Sequence, residues 1–131
     1  MKKKILVLGS NSFCGSNFIN FILNRKFKVV GVSRSNEYKP IFLSYKDNKY
    51  ISNFKFYKID INKNLNKLIK LIEREKFNFI VNFAAQGMVA ESWKSPIDWY
   101  KTNLLSQVEL FQKIQNFKFV KKIIQFSTPE V

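Results

Sequence analysis

The sequence has no histidine and only one cysteine, Cys14. With no imidazole and a lone thiol, neither a His/Cys metal cluster nor a histidine-activated thiolate is available, and no internal disulfide can close. No metal site is expected. Glycine and proline are sparse, at four and three residues, and no linker, repeat or low-complexity tract divides the chain, so residues 1–131 read as one domain. Acidic residues are few as well: nine Asp plus Glu stand against 23 Lys plus Arg, for a formal net charge of +14. Long apolar runs are also missing. Ile5 to Leu8 is typical, far short of the ~20 apolar residues of a membrane-spanning helix. Although Lys2 to Lys4 precede it, that run is also too short for a secretion signal, and Gly9 to Asn11 interrupt it. A cytoplasmic chain with no membrane partner is expected.

The positive charge invites a nucleic-acid reading. Its lysines are scattered, however, and Lys far outnumbers Arg, the residue better suited to bidentate phosphate and base contacts. We expect no nucleic-acid partner. Abundant Lys, Asn, Ile and Phe fit an AT-rich genome, with the charge aiding solubility and attracting anionic nucleotides. The hydrophobic content of 46%, with 16% aromatic, is enough to build a core.

Short apolar runs alternate with helix-period stretches. Strands are predicted at Ile5 to Leu8, Phe27 to Val32, Phe54 to Ile59, Phe77 to Phe83 and Lys122 to Phe126. Helices are predicted around Phe18, Ile19, Ile22 and Leu23, then over Leu65 to Ile72 with Leu65, Leu68, Ile69 and Ile72 on one face. A third should start near Pro96 and run through Leu104, Leu105, Val108 and Leu110 to about Asn116. Residues 37–53, with Pro40, read as a short helix or an ordered loop. Continuous apolar strands separated by helices imply an α/β fold, a doubly wound parallel sheet of Rossmann type in the order 3-2-1-4-5.

Gly9-Ser10-Asn11-Ser12-Phe13-Cys14-Gly15 lies between the first strand and the first helix. A dinucleotide site needs such a turn there, because the backbone must approach a pyrophosphate closely and the helix N-terminus offers N–H donors to it. Ser12 stands where a GxxGxxG pattern has its middle glycine. The alternative is an ordinary turn in which Gly9 ends the strand and Gly15 permits close helix packing.

The run Ile5 to Ser16 resembles the opening of the extended short-chain dehydrogenase/reductase family, of epimerase/dehydratase type, with its TGxxGFIGS text. Further blocks come in the family's order: Tyr57-Lys58-Ile59-Asp60-Ile61, Val81-Asn82-Phe83-Ala84-Ala85-Gln86, Ser95-Pro96 through Thr102-Asn103, and Gln125-Phe126-Ser127-Thr128-Pro129-Glu130-Val131. The last resembles the STxEVYG stretch of sugar-nucleotide 4,6-dehydratases. The resemblance implies an NAD(P)-dependent enzyme acting on a nucleoside diphosphate sugar, a homodimer in the parent protein. It implies cofactor contacts from Gly9, Ser12, Phe13, Cys14, Gly15, Ser33, Arg34, Ser35, Asp60, Ile61, Phe83, Ala84, Ala85, Gln86 and Thr102, and catalytic roles for Thr128 and Glu130. Structural alternatives stand beside these: Asp60 caps a helix, Ala84 and Ala85 make room for one, and Thr102 is a polar helix position.

The second strand ends Val32-Ser33-Arg34-Ser35. A carboxylate there would favour NAD by accepting from the ribose hydroxyls, whereas Arg34 suits the 2′-phosphate of NADP; the nearest acid, Glu37, lies farther along. NADP is therefore favoured over NAD. In the resembled family the catalytic Tyr-x-x-x-Lys pair and the substrate domain lie beyond the STxE stretch, so residues 1–131 are expected to be the N-terminal portion of the cofactor domain, inactive alone. Glu130 points to a 4,6-dehydratase. The alternatives are an epimerase or reductase of the same family, and a non-catalytic nucleotide-binding module.

Overall fold

The computed structural model describes residues 3–127. Five strands, β1 (Lys4–Leu8), β2 (Lys28–Ser33), β3 (Phe54–Lys58), β4 (Phe79–Asn82) and β5 (Lys122–Gln125), form one sheet in the order β3-β2-β1-β4-β5. Every neighbouring pair is parallel, with Leu8 opposite Val32 on one side and Asn82 on the other. This is the expected order, a Rossmann-type doubly wound sheet. The helices are α1 (Phe13–Leu23), α2 (Leu65–Glu75), α3 (Val89–Ser92), α4 (Pro96–Tyr100) and α5 (Ser106–Ile114).

Alternation along β1 divides the core in two. Ile5 and Val7 pack with Ile19, Ile22 and Leu23 of α1, while Leu6 and Leu8 pack with Leu68 and Ile72 of α2 and Leu110 and Ile114 of α5. A central parallel strand is buried on both faces, which is why Ile5 to Leu8 reads as an unbroken apolar run. Helix α2 buries Leu65, Leu68, Leu71 and Ile72 on the sheet and turns its charged side chains outward. It stops at Lys76, whose backbone is left-handed at φ 52° and whose N–H donates to the Ile72 carbonyl at 2.9 Å. The end of α2 is tied to the start of β1 by Lys4 Nζ and Glu75 Oε2, 3.0 Å apart. That hydrogen bond, with the lysine's charge, holds the Glu75 carboxyl below its ordinary range.

Two stretches show more detail than the sequence foretold. The helix predicted from Pro96 to about Asn116 is α4, a π-helical turn at Lys101–Leu105, and α5. Leu104, Leu105 and Val108 lie exposed, whereas Thr102, Ser106, Gln107, Leu110 and Ile114 are buried. Residues 37–53 are an ordered connection with two 3₁₀ turns, Pro40–Phe42 and Ile51–Asn53. It belongs to the core, for Leu43 and Tyr45 are buried with Ile19 and Val29. Tyr45 packs on Phe54 at 4.5 Å between ring centroids, and burial, with its hydrogen bond to Glu37, pushes its hydroxyl pKa far above the ordinary value.

A left-handed backbone costs an L-residue about 1–2 kcal/mol that glycine avoids, offset in part by the extra freedom glycine has when unfolded. Lys76→Gly is therefore expected to raise the unfolding free energy by about 0.5–1 kcal/mol. Urea denaturation would check this, and a lower midpoint would contradict it.

Candidate functional site

The carboxyl ends of β1 and β4 meet at the point where the strand order reverses, the place where open α/β sheets leave a crevice. Gly9 makes the exit from β1. Its φ is +75°, and a Cβ there would stand 2.7 Å from the Phe83 carbonyl carbon and the Ala84 nitrogen. Only glycine fits both the dihedral and the closeness of the neighbouring chain. A Cβ on Gly15 would collide with the Gly9 carbonyl oxygen and Ser12 Oγ, so Gly15 lets the first turn of α1 sit directly on the loop. This close packing is common to an ordinary tight turn and to the last glycine of a dinucleotide-binding turn.

Ser12 is the N-cap of α1: its hydroxyl accepts from Gly15 N at 3.0 Å and donates to the Gly9 carbonyl at 2.7 Å. Ser16 N bonds the Ser12 carbonyl at 2.8 Å. Among the described residues, the amides of Phe13 and Cys14 find no acceptor. Two open N–H groups at the positive end of an eleven-residue helix have the geometry and polarity that suit an anion.

Beside them is a cleft of about 360 Å³. It gathers Gly9, Ser12, Phe13, Ser33, Arg34, Ser35, Asp60, Ile61, Phe83, Ala84, Ala85 and Thr102, twelve of the residues singled out in the sequence. Cys14, Gly15 and Gln86 do not line it: Cys14 is exposed beside it and Gly15 lies under the loop. Thr128 and Glu130 lie outside the described residues. Asn11, Tyr38 and Asn62 line the cleft and were missed by sequence reasoning. The motif pattern treats Asn11 as a variable position, and nothing marked Asn62 beyond its closeness to Asp60.

Asp60 Oδ1 accepts from Asn62 N at 2.9 Å, and its carbonyl accepts from the amides of Lys63 and Asn64, so it shapes the turn leading into α2. Asn62 then joins two elements: its Nδ2 donates to Thr102 Oγ1 at 2.8 Å, and its Oδ1 accepts from Ser106 Oγ at 2.7 Å. The exit of β4 is held as firmly. Buried Asn82 donates to Gln107 Oε1 and to Gln125 Oε1 and accepts from Ala84 N at 2.9 Å. Asn103 grips the Gln86 backbone from both sides, accepting from its N at 2.8 Å and donating to its carbonyl at 2.9 Å. These hydrogen bonds fix the Phe83 to Gln86 backbone as a small-residue wall.

Among the described residues, Arg34 and Asp60 are the only charged ones lining the cleft. The arrangement has the features a dinucleotide needs: open amides at a helix start, a Cβ-free Gly9 beside them, and small Ala84 and Ala85 on the far wall. Among the described residues no three of His, Cys, Asp and Glu converge to hold a metal, and no helix is long and apolar enough to cross a membrane.

The family model described as GDP-mannose 4,6 dehydratase matches residues 6–131. The chain belongs to the NAD(P)-dependent epimerase/dehydratase family. Its relatives include a dTDP-D-glucose 4,6-dehydratase of Dictyostelium discoideum, 33% identical over 98% of this chain and 30% of that protein. The fold is similar to the UDP-Glc/GlcNAc 4-epimerase of Campylobacter jejuni (TM-score 0.83, 28% identity, 97% of this chain and 37% of that one). It is also similar to the UDP-glucose 4-epimerase of Bifidobacterium longum in complex with NAD+ and UDP (TM-score 0.80, 23% identity, 98% of this chain and 38% of that one). The chain thus spans well under half the length of these epimerase/dehydratase relatives.

Gly9→Ala places a side chain against the β4 backbone at a left-handed φ, and is expected to cost at least about 2 kcal/mol of stability. Ser12→Ala removes only the cap, at about 1 kcal/mol, and Ser12→Gly only a few tenths. Chemical denaturation of the three variants would check this order; Gly9→Ala as mild as Ser12→Gly would refute the packing argument.

Proposed function

We propose that this chain is the NAD(P)-binding portion of a nucleotide-sugar 4-epimerase. The observation that carries the cofactor part is the pair of open amides, Phe13 and Cys14, above the Gly9 turn and beside the Ala84-Ala85 wall. Bound nicotinamide would supply hydride exchange with C4 of the sugar. The chain's own contribution is to bind and orient: the start of α1 neutralises the pyrophosphate, and Asp60 and Ile61, with Thr102 held to the neighbouring Asn62, border the adenine end. The epimerase part draws on the Campylobacter relative, named as a UDP-Glc/GlcNAc 4-epimerase. The whole protein is expected to be a homodimer, as the family resemblance implies.

A second reading, a 4,6-dehydratase, is favoured by the Thr128 and Glu130 stretch and by the Dictyostelium relative. After oxidation at C4 the C5 proton becomes acidic. Glu130 would remove it, water would leave across C5 and C6, and the hydride would return to C6. In the whole protein, Glu130→Gln would then leave the first oxidation intact and slow C5 proton exchange and water loss by roughly 10²-fold. A whole protein that only inverts C4 would decide for the epimerase.

For the cofactor we propose NADP. The Bifidobacterium fold relative carries NAD+, so this preference rests on Arg34 alone. By calorimetric titration of the chain, NADPH should bind more tightly than NADH, and Arg34→Ala should narrow the gap by about 1.5–3 kcal/mol, the range of a hydrogen bond to a charged group. Equal affinities in the unmodified chain would overturn the preference. No binding of either nucleotide would overturn the site.

A further inference from the structure

Arg34 is exposed and forms no ion pair among the described residues. Glu37, the acid nearest to it in sequence, comes three residues later. A loose carboxylate at that spacing would be drawn to the guanidinium. Glu37 is not loose: its Oε1 accepts from the Tyr45 hydroxyl at 2.7 Å and from Lys46 Nζ at 2.9 Å. Tyr45 is fully buried in the α1 side of the core, so the hydroxyl that holds Glu37 is itself immobilised by packing. The residues between are pinned as well, because Asn11 Nδ2 donates to Ser35 Oγ at 3.1 Å and to the Asn36 carbonyl at 2.7 Å. Asn11 is 8% exposed and its Oδ1 has no partner, an unfavourable burial that the two hydrogen bonds to the β2 exit offset.

We propose that the Glu37–Tyr45–Lys46 cluster is a cofactor-specificity device that keeps a carboxylate away from Arg34 and so leaves the guanidinium open to a 2′-phosphate; this rests on the NADP reading above. None of the three is among the residues that line the cleft, so they act by position. Asp60, the other charged lining residue, already accepts from Asn62 N. Releasing Glu37 would change the electrostatics at the mouth in two ways. Its charge would compete for Arg34, and it would repel a phosphate dianion arriving there. An exposed ion pair of this kind contributes modestly, so the expected change in discrimination is about two- to fivefold.

The experiment compares the affinity of the chain for adenosine 2′,5′-bisphosphate and for 5′-AMP, which differ only in the 2′-phosphate. It uses the unmodified chain, Lys46→Met, Tyr45→Phe with Lys46→Met, and that double variant with Glu37→Gln added. Lys46→Met leaves the core untouched, and Tyr45→Phe preserves its shape. The preference for the bisphosphate should fall about two- to fivefold in the double variant, and less in Lys46→Met. Affinity for 5′-AMP should stay constant, and Glu37→Gln should restore the preference by removing the charge. An unchanged preference in the double variant, or a loss that Glu37→Gln does not restore, overturns the proposal. An unmodified chain that binds both probes equally overturns the NADP reading and the proposal together, so the two failures are distinguishable.

Discussion

The closeness of two backbones at the switch point governs the rest of the structure. The exit of β1 and the exit of β4 pass so near each other that Gly9 has no room for a Cβ, and the chain must turn there with φ at +75°. Once that turn is made, α1 starts at once, and Gly15 lets its first turn rest on the Gly9 carbonyl. The two amides left over at Phe13 and Cys14 are first-turn donors of the kind any helix leaves unpaired, and the tight turn sets them at the crevice. The same turn that closes the core thus sets the helix start beside the cleft.

Where charge lies matters more than how much there is. A formal charge of +14 would suggest a basic binding face, yet the cleft is lined by one cation and one anion among the described residues. Several lysines sit at strand starts, Lys4, Lys28 and Lys122, on the edge of the sheet away from the site. Attraction of an anionic nucleotide is then a diffuse effect, whereas its placement depends on directed donors: helix amides and one guanidinium. This separation makes a single exposed arginine a credible determinant of nucleotide choice.

The sheet was legible because its signal is repeated. Each buried strand requires apolar residues on both faces, so Ile5 to Leu8 and Val29 to Val32 declare themselves without reference to the rest of the chain. The first loop was legible for a different reason, since glycine is scarce and two of four glycines fall in seven residues. The polar scaffold was not legible. Asn82, Asn103 and Gln107 are ordinary amides in sequence, and their roles arise only when residues far apart along the chain meet. Tyr45 was hidden likewise: an irregular, polar segment gave no period to show that Leu43 and Tyr45 turn inward.

The long helix is instructive for a different reason, because its span was legible and its internal irregularity was not. Leu104, Leu105 and Val108 fall on one face of a regular helix and Leu110 on the opposite one, and nothing in that pattern marks the π-helical turn at Lys101–Leu105 between α4 and α5. The turn region divides two adjacent polar residues between two tasks. Thr102 points its hydroxyl to Asn62 at the β3 side of the cleft, while Asn103 reaches the Gln86 backbone at the β4 side. A residue later in the chain, Gln107, ties both together by donating to the carbonyls of Thr102 and Ala84. A wider turn is a poorer helix, and such turns persist where surrounding contacts compensate. Here the compensation is visible as three side-chain amides, Asn62, Asn103 and Gln107, whose hydrogen bonds all converge on the walls of the site. The irregularity thus sits where the helix meets both walls of the site.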